Sequence, residues 1–176
     1  AYVMDLKNVR RGRIREYADK YSTATYLESN TTDGSHPVWS VKADVALPSA
    51  TQNELNAIDA QNLINNGCIC VAEGANMPTT ADGVELLINN NVMFGPAKAA
   101  NAGGVAVSAL EMSQNSMRLE WSRDEVDERL KGIMANIHTA AASAAEEFGC
   151  KGNLVHGANI AGFLKVARSM MAQGCV

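Results

Sequence analysis

The sequence predicts an α/β protein, a partial Rossmann-like parallel sheet of about four strands followed by a helical carboxyl-terminal segment. Three observations carry that expectation. Short apolar runs alternate with helical periodicity through the first half of the chain, an interval that suits crossover helices between parallel strands. After Pro96 the strand-like runs stop, and helix-forming sequence continues to the end. The 176 residues are 47% hydrophobic and 19% charged, which provides for a packed core and argues against disorder.

The strands are expected at Ala24–Leu27 ("ATYL"), Asp44–Leu47 ("DVAL"), Cys68–Ala72 ("CICVA") and Val92–Phe94 ("VMF"). "TQNE", Thr51 to Glu54, has capping-box spacing and opens a helix that should stop near Gly67. "TTAD", Thr79 to Asp82, starts a second helix, running to about Asn90. "NAGGVAVSALEMSQN", Asn101 to Asn115, reads as a third, yet Gly103 and Gly104 fall in its first turn. An interior glycine costs a helix roughly 1 kcal/mol relative to alanine. Either this is a ragged helix start, or something approaches the backbone too closely to admit a Cβ.

"SRDE", Ser122 to Glu125, is another capping box. Behind it Val126, Leu130, Ile133, Met134, Ile137, Ala141 and Ala144 form one stripe, and Gly149 is the natural stop. That helix should be roughly 39 Å long. A last helix is expected from about Ile160 to Ala172, and "ESNTTDGSHP", Glu28 to Pro37, reads as a loop. The expected division is an incomplete dinucleotide-binding domain at 1–115 and a helical segment at 116–176.

Composition narrows the function classes. The formal net charge is -4, and Arg10, Arg11, Arg13 and Arg15 fan around several faces of a helix, so no nucleic-acid partner is expected. Cys68 and Cys70 lie two apart in an apolar run, which is not a zinc-knuckle spacing. With Cys150 and Cys175 they read as buried free thiols of a reducing, cytoplasmic compartment, and no run is long enough to span a bilayer. "AYVMDL" begins in mid-pattern, so further sequence is expected upstream.

In open parallel sheets, ligands bind beyond the carboxyl ends of the strands. "PSATQN", "EGANMPTT" and "GPAKAANAGG" follow three of the expected strands and should open on one edge. Thr51, Asn76 and Asn101 supply groups that bond a carboxamide or a ribose. Such residues also favour ordinary turns, but three loops in register point to a ligand site. No two glycines are separated by a single residue, so GxGxxG is absent and with it a pyrophosphate loop. His36, His138 and His156 lie far apart and suggest no metal site; Lys98 and Lys165 receive no role. The "SMMAQ" tail suits core packing.

"PSATQNEL", "AEGANMPTT", "KAANAGGVAVSALEMSQNSMRLEW" and "HGANIAGFLKVARSMMAQG" together closely resemble the carboxyl-terminal part of the hexameric, bacterial-type glutamate dehydrogenases. The likeness runs from near Tyr2 to Val176 and places the chain in the wider group acting on glutamate, leucine, phenylalanine or valine. It implies oxidative deamination of L-glutamate to 2-oxoglutarate and ammonia, with NAD or NADP as hydride acceptor and a hexamer for the complete chain. It further implies that the catalytic lysine and aspartate, the substrate domain and the glycine-rich loop lie upstream. No catalytic residue is then expected here, and the fragment alone should be inactive.

By the same resemblance, Ala50, Thr51, Gly74, Ala75 and Asn76 line the nicotinamide ribose, and Asn101 bonds the carboxamide. Gly104, Val105 and Ser108 face the substrate, Ser108 donating to the distal carboxylate of glutamate. Gly103 and Gly104 would leave room for substrate and nicotinamide ring. Family enzymes for apolar substrates place an apolar residue where Ser108 stands. Against the family pattern, the loop "ESNTTDGSHPVW" is expected to be longer than its counterpart. Alternatives are a fragment of a leucine, valine or phenylalanine dehydrogenase, or a non-catalytic nucleotide-binding or helical interaction module.

Overall fold

The computed structural model describes residues 1–28, 32 and 34–174. The chain divides into two compact units, Ala1–Pro37 and Val38–Val176, so the expected boundary after residue 115 falls inside the second. Part of the expected Glu28–Pro37 loop, and Cys175, lie outside the described residues.

In the first unit α1 (Tyr2–Met4) runs into a π-helical turn at Asp5–Val9, and α2 (Arg15–Lys20) follows. Tyr2, Tyr17 and Tyr21 cluster with ring centroids 4.7 to 6.0 Å apart, and the Lys20 ammonium sits 3.8 Å from the centre of the Tyr2 ring. Arg10 is occupied by Asp5, its Nε donating over 2.9 Å. The strand expected at Ala24–Leu27 is not formed. A strand exists only through ladder bonds to a neighbour, and Tyr26 and Leu27 are exposed rather than set into a sheet.

The second unit is built on three parallel strands, β1 (Val45–Ala46), β2 (Cys70–Ala72) and β3 (Met93–Gly95), in the order β1-β2-β3. The expected sheet of about four strands is therefore three-stranded among the described residues. Val45 aligns with Cys70 and Met93, and Ala46 with Val71 and Phe94. Because side chains alternate along a strand, the second row faces one side and enters the core with Leu55, Leu63 and Leu87. Helices α3 (Ala57–Asn65) and α4 (Ala81–Asn89) are the crossovers and pack on each other.

Helix α3 starts later than the spacing of Thr51–Glu54 predicts. Its capping box is Asn56 with Asp59: Asn56 Oδ1 accepts from the Asp59 N–H at 3.1 Å, and Asp59 accepts from the Asn56 N–H at 3.2 Å. Residues 51–54 are held out of the helix by Asn53, left-handed at φ 58°, and by a parallel bridge between Leu55 and Thr79. Helix α3 does end before Gly67, which sits at φ 80° where an L residue is strained. Thr80 is the N-cap of α4.

After β3 come α5 (Ala97–Ala100), α6 (Gly103–Met117), α7 (Arg123–Glu147) and α8 (Leu154–Gln173). Helix α7 opens on the expected box, and the stripe from Val126 to Ala144 is its half-buried to buried side. It crosses the sheet face carrying Cys70, Ala72 and Met93, leaving an apolar cavity of about 220 Å³. Helix α8 begins six residues before the expected Ile160, with Asn153 Oδ1 accepting from the His156 N–H at 3.0 Å. Gly157 masks that start in sequence; packed, it is what lets α8 approach, because a Cβ there would collide with the Ala141 carbonyl of α7. No described helix is long and apolar enough to cross a membrane.

Candidate functional site

The loops that follow β1, β2 and β3 leave the same edge of the sheet, and hydrogen bonds join them in series. The Pro48 carbonyl accepts from the N–H groups of Gly74, at 2.8 Å, and Ala75, at 3.1 Å, tying the first loop to the second. Their approach is close enough that a Cβ on Gly74 would strike the Ser49 hydroxyl. A side chain there would force Ser49 to turn away and press on its Cβ, so the glycine eases the close approach of the two loops. Ala50 and Thr51 are exposed beside it, the Ala50 N–H donating to Glu54 Oε1 at 2.7 Å.

Asn101 ties the second loop to the third. Its Nδ2 donates to the Ala75 carbonyl at 3.1 Å and to Asn76 Oδ1 at 2.7 Å. The two asparagines predicted from separate loops are therefore direct neighbours. They open on a cleft of about 910 Å³ that Glu73, Thr79, Phe94 and Lys98 also line.

Glu73 carries a role that sequence reading missed. The residue is only 5% exposed, and its Oε1 accepts from the Thr79 N–H at 3.1 Å and Oε2 from the Ala97 N–H at 2.7 Å. Its own N–H donates to the Gly95 carbonyl at 3.0 Å. One carboxylate so spans the starts of α4 and α5. The signal available in sequence was a lone acid directly after an apolar strand, where a buried carboxylate needs partners.

Gly104, Val105 and Ser108 share the outer side of α6, and all three are exposed. No described residue forbids a side chain at the two glycines: a Cβ on Gly103 would meet Leu130 and Met134 at ordinary contact, and one on Gly104 would meet open space. The Ser108 hydroxyl donates to the Gly104 carbonyl at 3.1 Å, one turn back. Donation to a ligand requires it to turn outward, which its exposure allows.

The tempting residues stay apart. His138 and Lys165 are exposed on α7 and α8, and the Lys98 ammonium bonds Asn159 Oδ1. Burial first, and the neighbouring Cys68 next, push the Cys70 thiol up, away from nucleophilic character at neutral pH. No group of three or more potential metal ligands converges among the described residues.

A parallel sheet joined by helices, with bonded polar loops at its carboxyl edge, defines an α/β protein. The family is settled by comparison: the chain belongs to the Glutamate/Leucine/Phenylalanine/Valine dehydrogenase family, whose sequence model matches residues 1–174. It is 56% identical over 175 residues to a glutamate dehydrogenase of Bacteroides thetaiotaomicron, covering 99% of this chain and 38% of that protein. It is 51% identical over 174 residues to the NAD(P)-specific glutamate dehydrogenase of Xylanibacter ruminicola, with 99% and 38% covered. The crystal structure of Plasmodium falciparum glutamate dehydrogenase superposes with a TM-score of 0.90 at 49% identity, covering 99% of this chain and 36% of that one. The chain thus spans about 38% of the length of the curated relatives it matches.

Proposed function

We propose that this chain is the carboxyl-terminal part of an NAD(P)-dependent glutamate dehydrogenase and forms the nicotinamide side of its active cleft. The observation that carries the reading is the Asn76–Asn101 contact at the carboxyl edge of the sheet, where the three loops are bonded into one rim. NAD or NADP bound there would supply the hydride acceptor for oxidation of L-glutamate to 2-oxoglutarate and ammonia. The chain's own contribution is binding and orientation. Ala50, Thr51, Gly74, Ala75 and Asn76 present a rim of small and polar groups to the ribose, and Asn101 presents an amide to the carboxamide. The rim fits such a group: its residues are exposed or half-buried, and Gly74 adds no side chain where the first two loops meet.

On the substrate side, the open space before Gly104 admits a ligand next to the helix backbone, and Val105 and Ser108 flank it. The Ser108 hydroxyl, turned from the Gly104 carbonyl, would donate to the distal carboxylate of glutamate. Proton transfer belongs to the lysine and aspartate of the remaining chain, and the assembly of the complete enzyme is a hexamer. The assay is glutamate-dependent reduction of NAD and NADP by the complete protein, with norvaline as the apolar competitor. Preference for glutamate that falls on Ser108→Val, by about 1–3 kcal/mol in kcat/KM, is the expected result. Absence of glutamate turnover would sink the reading.

A further inference from the structure

We infer that Glu73 is a positioning residue for the nicotinamide pocket: its buried carboxylate bridges the Thr79 and Ala97 N–H groups and so sets where Asn76 and Asn101 stand. The inference rests on the cofactor-site reading above. Residues 74–78 form a short bridge whose two ends are both governed by this one side chain. Glu73 itself is the first residue after β2, and Thr79 at the far end donates to its Oε1 at 3.1 Å. Ala97 opens α5, and α5 leads directly to Asn101. The 2.7 Å bond from the Ala97 N–H to Oε2 therefore fixes the distance between the strand that precedes Asn76 and the helix that delivers Asn101.

Both partners are N–H donors, so the bridge needs two acceptor oxygens. An ionised carboxylate provides them; a glutamine of the same shape provides one and turns an N–H donor towards the other partner. With that donor facing donor, one end of the bridge opens. The Asn101 bonds to Ala75 and Asn76, which cross the same gap, are then strained or lost. The adenosine half of a dinucleotide would not feel this change, because no rim residue named here is assigned to it.

Two variants of the complete dehydrogenase test the inference. Glu73→Gln removes one acceptor. Ala97→Pro removes one donor while leaving the charge; Ala97 is the first helical residue, where proline is tolerated, and Pro96 before it is already extended at ψ 147°. Calorimetry with NAD(P)H, and separately with ADP or 2′,5′-ADP, reads the two halves of the site. The expected result is a loss of NAD(P)H affinity of about tenfold for Glu73→Gln and about threefold for Ala97→Pro, with the adenosine probes within about twofold of wild type. Equal loss for both probes, or unchanged NAD(P)H affinity in either folded variant, would overturn it. A wild-type protein that binds no NAD(P)H overturns the cofactor-site reading as well, whereas normal wild-type binding with an unaffected Glu73→Gln overturns the role of Glu73 alone.

Discussion

At the residue scale the glycines separate into two physical kinds. Gly157 is excluded from bearing a side chain by the Ala141 carbonyl, and Gly162, further along α8 on another face, has open space around its missing Cβ. Gly157→Ala is expected to destabilise by about 2 kcal/mol or more, since the two helix backbones must part. Gly162→Ala should stabilise by about 0.5–1 kcal/mol through helix propensity and a less flexible unfolded chain. Urea unfolding of the pair checks both signs. Gly104 belongs with Gly162 as far as this chain is concerned, so any penalty there comes from outside it, from a ligand or from the remainder of the protein, and stability and turnover measured together tell the two apart. Gly104→Val in the complete enzyme should leave the melting temperature close to wild type yet lower kcat/KM by about tenfold or more, because orientation in the cleft is lost. Steady-state kinetics and thermal melting of the same preparation decide it, and wild-type kinetics would make Gly104 an ordinary helix start.

Among the elements, α7 shows how far a local signal carries. Ser122 Oγ accepts from the Glu125 N–H at 3.3 Å, and Glu125 Oε2 accepts from the Ser122 N–H at 2.7 Å. Ser122→Ala should cost about 1 kcal/mol. The Ser122 N–H first, its hydroxyl next and Arg129 behind them hold the Glu125 carboxyl below the usual carboxylate range. A folded-state value below the unfolded one stabilises the fold fully above the ordinary glutamate range, and the gain disappears as the pH falls through the lowered value. Glu125→Gln should therefore melt below wild type at neutral pH, and the two should converge in acid. Melting curves across that range are the test; a gap that persists in acid would show that the charge is not its source. The same rule misled at α3, where "TQNE" has box spacing but Asn53 is left-handed, and the working box is Asn56 with Asp59.

For the whole molecule, the uneven cover of the sheet matters most. All-parallel sheets are ordinarily buried on both faces. Here α3 and α4 cover the row of Ala46, Val71 and Phe94, while in the opposite row Val45 and Met93 remain 47% and 61% exposed. Helix α6 buries none of its residues. The chain also matches only about 38% of the length of its relatives. Purified alone, these 176 residues should show no glutamate-dependent reduction of NAD or NADP, since orientation and proton transfer are both required. They should bind an apolar fluorescent dye more strongly than the complete protein does. Turnover at an ordinary enzyme rate by the isolated chain would refute the division of labour proposed here.

What the sequence determined by itself is what short-range physics decides. Short apolar runs and helical periodicity located three strands and the long α7, and the Ser122 box and Gly67 marked ends that depend only on neighbouring residues. The positions of Asn76 and Asn101 after their strands were legible for the same reason, though not their 2.7 Å contact. Tertiary structure decided everything that needs a partner distant in the chain. Ala24–Leu27 had strand character and found no ladder. Helix α8 starts early because Gly157, poor for a helix in isolation, is the residue that fits under α7. Glu73 reads as a loop acid until folding brings the N–H groups of Thr79 and Ala97 to its two oxygens, across 6 and 24 residues of chain. A buried carboxylate is stable only with such partners, and their arrival is a property of the fold rather than of the adjacent sequence.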